Sequence, residues 1–429
     1  MKNRYLYIIY YSVLILILAL YTNMRHSPNM LIRFGYLAAI VLPVLQREEL
    51  VCAVIICTLG ISKNTFAHPL MPTDMYYYVA LVLLLAYLSL LRRGFKTGIK
   101  LLFLIAIIYV VLIDLITQDR LSQMVSMIFI CIMFYMCIED KIVIGSRFLT
   151  LSFIIISLTI SYWVLFCPSA HVTSFSEVKG MSRTGWTDPN YLSSVLGAGL
   201  ILAIRELLLK NRNLLYKSFM ALIVTLSVIA MLKLASRGII IAVVLSVVVL
   251  MSFSKVNKWT KAVVIVLSII LVVVLYNHQY FEFIIARFEE DDGTGSHRTE
   301  IWLSKLSDFF YNKKMANWFF GVGQAEGFKM GEFFGLAVDG VSTHNDFVSF
   351  LVYYGFVGIA LFFSVIAYPL RVCSKAYRPQ ILALLLYMLA CGMTIEPLAR
   401  GMFVNWGFFF YIIVLAKQSQ DVNNNRQLV

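Results

Sequence analysis

Charge is scarce in this sequence, and acidic charge most of all: Asp and Glu number 23 against 36 Lys and Arg, and charged residues make up 14% of 429. A soluble domain carries about a quarter charged residues, so the deficit excludes a chain whose whole surface faces water. Histidine is rarer still, with six. Five of them, His26, His68, His171, His278 and His297, form no ligand spacing with the sixth, His344, so no metal site is expected. The seven cysteines lie mainly within or beside apolar runs, with no paired spacing in the outer loops, which argues against a disulfide framework and a zinc site and leaves them as small buried apolar residues. No small-x-small cleavage site follows the long apolar core after Lys2 and Arg4, so this segment reads as a first membrane span, not a signal peptide. There is no internal repeat and no low-complexity tract, apart from a polar tail, KQSQDVNNNRQ, which is expected to be disordered.

Apolar residues fill the place of the missing charge. They make up 60% of the chain, the mean hydropathy is +0.82, and long apolar runs recur from end to end. In lipid each run must close its own backbone hydrogen bonds, so each is expected as a helix. The expected spans are 5–21, 31–45, 49–62, 75–91, 99–116, 121–138, 148–166, 190–209, 216–234, 237–253, 261–276, 346–368, 380–394 and 402–416. The fold class is therefore an all-α polytopic membrane protein of about fourteen transmembrane helices. Residues 1–429 form a single transmembrane domain, interrupted by an outer loop at 167–189 and a long extracytoplasmic loop at 277–345 that carries short helices.

Basic residues set the orientation. Alternate loops hold Arg92, Arg93, Lys96 and Lys100; Lys141 and Arg147; Arg205, Lys210, Arg212 and Lys217; Lys255, Lys258 and Lys261; and Arg371, Lys375 and Arg378, while the opposite short loops are poorer. The positive-inside rule places the rich loops and both termini in the cytoplasm. The net charge of +13 then mostly reports this bias and contact with anionic headgroups. Nucleic acid is not a partner, because the basic residues form no aromatic-interleaved patch.

The long loop has an organisation of its own. EEDDGTGSHR at 289–298 is an acidic turn whose spacing lacks the bidentate glutamate of a calcium loop. HRTEIWLSKLSDFF overlaps its end and places Trp302, Leu306, Phe309 and Phe310 at helical spacing, which predicts a helix with one apolar face at the membrane surface or over the bundle. GVGQAEG at 321–327 resembles a phosphate loop only superficially, since its third glycine is late and no strand precedes it; it reads as a turn leading back to the membrane.

Three polar clusters lie at the outer ends of expected spans: SRTGWTDPNYL at 182–192, ASRGII at 235–240 and STHND at 342–346. In the first, Asp188 can cap a helix whose first turn holds Pro189. Arg183, Arg237 and His344 thus share one plane, and the loop can carry Arg298 to it. A lone outer-face arginine is most often a snorkelling anchor, and the plain alternative for a lone histidine before a helix is that it faces water beside Thr343, Asn345 or Asp346 as the cap. Their combination suits one chemistry. A transferase on this side has no ATP and needs an activated donor such as a lipid-linked pyrophosphate; guanidinium groups hold the departing charge in bidentate fashion, and a histidine can take the proton of an attacking hydroxyl.

The same residues carry a resemblance. SRTGWTDPNYL before a span, SRG opening another, HRTEIW and FFGVGQ in a long outer loop, then STHNDFVSFLVYYGFVG are similar to the O-antigen polymerase and O-antigen ligase superfamily of bacterial envelope proteins, in the family's order over roughly residues 180–370. The resemblance implies an inverting, metal-independent, cofactor-free glycosyltransferase of the inner membrane. Such an enzyme moves a glycan from undecaprenyl pyrophosphate to an acceptor on the outer side, with a chain-length regulator as a possible further partner. It implies donor-phosphate roles for Arg183, Arg237 and Arg298 and a catalytic role for His344. Asn345 and Asp346 are expected to cap the helix and orient the imidazole, and Asp188 and Asn190 to support the approach of Arg183. The span number leans toward a polymerase, whose acceptor is another lipid-linked repeat unit, over a ligase, whose acceptor is the lipid A core. A lipid-linked glycan transporter is the alternative of another class, and it should carry ionisable groups at the midplane of several spans. Asp114 comes near such a position, whereas most charges sit at span ends. A purely structural scaffold is a third alternative, disfavoured by the shared plane of the three clusters.

Overall fold

The computed structural model describes residues 100–117, 146–166, 177–178, 181–182, 189–209, 213–253, 298–333, 336–337, 342–396, 398–399 and 403–427, with isolated helical positions at 273, 276, 277 and 285. The long helices are α1 (Lys100–Ile116), α2 (Ser146–Phe166), α3 (Pro189–Leu208), α4 (Leu214–Leu234) and α5 (Arg237–Phe253). The loop contributes α6 (Arg298–Ser307), which runs into a π-helical turn at Asp308–Asn312, then α7 (Met315–Phe320) and α8 (Gln324–Lys329). Three long helices follow: α9 (Asp346–Val372), α10 (Arg378–Ile395) and α11 (Phe403–Gln427). The only strands among the described residues are two antiparallel two-residue pairs, Glu177–Val178 with Met181–Ser182 and Glu332–Phe333 with Leu336–Ala337.

The expected spans at 99–116, 148–166, 190–209, 216–234, 237–253, 346–368, 380–394 and 402–416 each coincide with a helix, to within a few residues at most ends. Those at 5–21, 31–45, 49–62, 75–91 and 121–138, like nearly all of span 261–276 and of loop 167–189, lie outside the described residues. By length and apolarity, α3, α4, α9 and α10 can cross a membrane, and shorter apolar helices occur at Phe153–Phe166 and Arg237–Phe253. The polar tail does not form a separate disordered segment: α11 continues through it to Gln427. Asp114 does not sit at the middle of its helix either; it is buried two residues from the end of α1.

Local chemistry explains where these helices begin and end. Asn213 accepts from Tyr216 N at 3.0 Å and opens α4. Ala235, in a left-handed conformation, closes it by donating its N–H to the Met231 and Leu232 carbonyls, so α5 can start at once with Arg237. Asn345 caps α9 by accepting from Phe347 N and Val348 N at 2.9 and 3.3 Å.

Helix α3 is the centre of the described bundle, packed against α2, α4, α5 and α10. Lipid tails are as apolar as the helices they surround, so association rests on close packing and interhelical hydrogen bonds rather than on escape from water. Small residues permit that approach: a side chain at Gly199 would run into Ser157, and one at Gly197 into the Tyr387 hydroxyl and Val243. Hydroxyls then bridge the helices. Ser157 donates to the Leu196 carbonyl at 2.9 Å and meets Ser227 at 3.2 Å, and Ser246 donates to the Ala383 carbonyl at 2.8 Å.

Helix α9 is broken at Gly355 (φ 66°, ψ −168°), a conformation that only glycine adopts readily. The break frees carbonyls of the preceding turn, and the loop takes them up. Val322 N and Gly323 N donate to the Val352 and Tyr353 carbonyls at 3.1 and 3.0 Å, and the Tyr109 hydroxyl donates to the Tyr354 carbonyl at 2.7 Å. GVGQAEG is therefore a turn that seals a broken helix and then opens α8.

The apolar face expected on α6 is rotated. The fully buried row is Ile301, Lys305 and Phe309, four residues apart, while Trp302, Leu306 and Phe310 are half-buried beside it. A buried lysine inside that row was hidden from hydropathy. Its Nζ donates to the Gly327 and Phe328 carbonyls at 2.7 and 3.0 Å, which fastens α6 to α8.

Candidate active site

The end of α10 and the turn after it, around Thr394, Glu396 and residues 398–399, are where the polar clusters meet. Asn190, in the first turn of α3, accepts from the Ser236 hydroxyl at 2.8 Å, which sets the start of α5 beside the start of α3. Two residues on, Gly238 lies so close to Thr394 that no side chain could fit between them. Arg298, the first residue of α6, donates from Nη1 to the Thr394 carbonyl at 2.6 Å. Arg237 and Arg298, both half-buried, are thus gathered at the end of α10. Arg183 and Asp188 lie outside the described residues.

Residues 342–346 pack on the other side of the same turn. Glu396, fully buried, receives the hydroxyls of Ser342 (2.5 Å), Ser349 (2.6 Å) and Thr343. The Ser342 hydroxyl accepts from His344 N at 3.3 Å, and the Thr343 hydroxyl accepts from Asn345 N at 3.1 Å. From the loop, Trp302 Nε1 donates to the Thr343 carbonyl at 2.6 Å. His344 is half-buried, with φ 50°, a left-handed backbone that is uncommon for any residue but glycine.

Asp346 departs from its expected duty. It does not cap its own helix, since Asn345 does so; Asp346 Oδ1 instead accepts from Leu398 N and Ala399 N at 2.9 and 2.7 Å, tying the start of α9 to the turn after α10. Its other oxygen has no hydrogen-bond partner and lies against the backbone of Gly392, where an added side chain would come within 2.7 Å. Buried between two helix ends, this carboxyl fixes their geometry.

Electrostatics extend the cluster into the loop. Burial pushes the Lys305 ammonium down to about 8, partly offset by Glu396 and Asp308, whose negative charges favour the proton. Among the described residues a second polar cluster lies elsewhere in the bundle: Arg205 donates to Gln380 Oε1 at 3.3 Å and contacts Glu206 and Tyr411 at 3.4 Å, and Tyr216 donates to Glu206 at 3.0 Å. It joins the end of α3 to the beginnings of α4 and α10, opposite the ends that gather around Glu396. Antiparallel helices with polar groups segregated to two ends are what a bilayer between them requires.

Sequence reasoning missed Glu396 and Ser349, gave Ser342 no role of its own within STHND, and read Trp302 only as part of an apolar face. Glu396 did leave a signal, as a lone carboxylate in a short turn between two apolar runs, on the side of the bundle already assigned to the three clusters. The hydroxyls left none, because serine and threonine are common in apolar helices.

No curated protein matches the chain significantly. Residues 220–363, about a third of the chain, match the family model described as O-antigen ligase, a stretch that includes Arg237, Arg298, His344 and Gly355, and this match supports placing the protein in the O-antigen ligase/polymerase superfamily.

Proposed function

We propose that this protein is an inverting, metal-independent glycosyltransferase of the bacterial inner membrane. It takes a glycan from undecaprenyl pyrophosphate and joins it to a second lipid-linked repeat unit on the extracytoplasmic side, so that surface polysaccharide is polymerised. The observation that carries this reading is the convergence of Arg237, Arg298 and His344 around the single turn that ends α10. His344 takes the proton of the acceptor hydroxyl as its oxygen attacks the anomeric carbon, and the electron pair of the broken bond leaves with the pyrophosphate. Arg237 and Arg298, with Arg183, stabilise that departing charge by bidentate contacts. In this reading about fourteen helices span the membrane, both termini are cytoplasmic, and the Glu396 end of the bundle faces outward. A chain-length regulator would act on this polymerase from outside the chain.

One observation favours a second reading: the matching family model is described as O-antigen ligase, which points to lipid A core as the acceptor. A transporter fits less well, because the charged residues of the described long helices lie toward helix ends and in the α11 tail. The glycan profile of a deletion strain separates these. Loss of long chains with a single repeat retained is expected for the polymerase. Full-length lipid-linked glycan left unattached would mean ligase, and an unchanged profile would contradict both.

A further inference from the structure

Glu396 stands outside the matched stretch 220–363 and receives hydroxyls from the segment that holds His344. Among the described residues three non-glycines have a left-handed backbone, Ala235, His344 and Glu396. Ala235 and Glu396 are left-handed C-caps, of α4 and α10, whereas His344 closes no helix. His344 lies across Ser342 and Thr343 from Glu396.

A hydroxyl has one proton to give and lone pairs to accept with. Ser342 gives its proton to the Glu396 carboxylate and accepts with the same oxygen from His344 N–H. The Thr343 hydroxyl accepts from Asn345 N–H and reaches the carboxylate, the Asn345 carbonyl at 3.0 Å and the Ser349 hydroxyl at 2.5 Å. The carboxylate therefore sets the Ser342 rotor, which sets the His344 amide, and it shares the Thr343 hydroxyl that sets the next one. Ser349, one turn into α9, gives its proton to the same carboxylate oxygen as Thr343 and anchors the arrangement to the helix. Trp302 holds the Thr343 carbonyl, on the peptide bond that carries His344 N–H, and Arg298 holds the carbonyl of Thr394, two residues before Glu396. A left-handed non-glycine residue is strained and persists only where its surroundings over-determine it. Here the surroundings are a buried carboxylate and the hydroxyls it orients.

We propose that Glu396 is the positioning residue for His344, holding the imidazole at the mouth of α9 by fixing the left-handed backbone beneath it. This rests on the reading of His344 as the base. Glutamine at 396 has the same shape but only one acceptor oxygen, and its amide group would point two N–H donors at hydroxyls already engaged by backbone amides. Hydroxyls that meet those donors must turn their own protons to other acceptors, which loosens the hold on the backbone beneath His344.

The test compares wild type with Glu396→Gln, purified in lipid, by transfer kinetics with a lipid-pyrophosphate glycan and by amide hydrogen exchange of the 342–347 peptide. Exchange there should quicken by about tenfold or more while that of α3 stays as in wild type, and kcat should fall about tenfold or more with KM for the donor within about twofold. Ser342→Ala with Thr343→Val should reproduce both effects, and adding it to Glu396→Gln should change little more, since the three groups act as one unit. If Glu396→Gln does not reach the membrane, the Ser342→Ala, Thr343→Val pair is read in its place with the same expectation. Unchanged exchange at 342–347 would overturn the positioning role, whether activity is kept or lost. An active His344→Ala protein would instead overturn the base assignment, while quickened exchange in Glu396→Gln would still report the backbone effect.

Discussion

Lys305 shows how one side chain can be both a fastener and a sensor. The lysine is buried in the contact row of α6, with its Nζ on the Gly327 and Phe328 carbonyls. Its folded value of about 8 lies below the ordinary 10.5, so between these values the unfolded chain holds the extra proton. Stability therefore rises with pH through that window and is flat below it. The neutral amine keeps two N–H donors for its two carbonyls, so deprotonation leaves the fastening intact. Lys305→Met removes both bonds and leaves two buried carbonyls unpaired, a cost of about 1–3 kcal/mol. Limited proteolysis of the loop in lipid should show faster cleavage in the variant at every pH. Wild-type resistance should increase from pH 8 to 10.5, and the variant should lack that increase. A wild-type loop that weakens across the window would refute the assignment. His344 is the companion case at this scale: its identity was readable from STHND, whereas its left-handed backbone was not, because that depends on Glu396 about fifty residues away.

At the scale of elements, hydropathy located the described long helices well because a membrane leaves the backbone no alternative to the helix. It did not reveal that α9 is two helices, since Val352, Tyr353 and Phe356 are as apolar on either side of the break as in an unbroken span. Gly355 and Gly358 were noted as part of a motif; that Gly355 reverses the backbone follows only from the loop that packs there, with Phe319 against its Cα and Gly321 against the Tyr353 carbonyl. For the same reason the face of α6 was misassigned: a row containing lysine does not look buried until the two carbonyls that receive it are known. Gly355→Ala should destabilise the protein by about 3 kcal/mol or more, from the forbidden backbone angles and the collision with Phe319 together. Thermal unfolding in detergent checks this, and a variant that melts like wild type would mean that α9 is continuous.

For the whole molecule, two polar clusters gather opposite helix ends, one around Glu396 and one around Arg205 and Glu206, with apolar packing between them. Basic-residue placement puts the Glu396 end outside. Cysteines introduced at position 175 and in place of the exposed Tyr311, in a background without native cysteines, should react with an impermeant reagent added outside, and those at 95 and 257 should not. The reverse pattern would place the site in the cytoplasm and remove the reason for a lipid-linked donor.

The most direct measurement is transfer by the purified protein in lipid, with a lipid-pyrophosphate glycan as donor and with or without a chelator. Wild type should form longer glycan unaffected by the chelator, and transfer should fall as the pH is lowered below neutrality, because a protonated imidazole cannot accept a proton. His344→Ala should stop transfer with donor binding largely kept. Arg237→Ala should lose both, and Arg237→Lys should recover only part, because an ammonium cannot form the two-pronged contact of a guanidinium. A chelator that abolishes transfer with zinc restoring it, or a His344→Ala protein that turns over like wild type, would contradict the account.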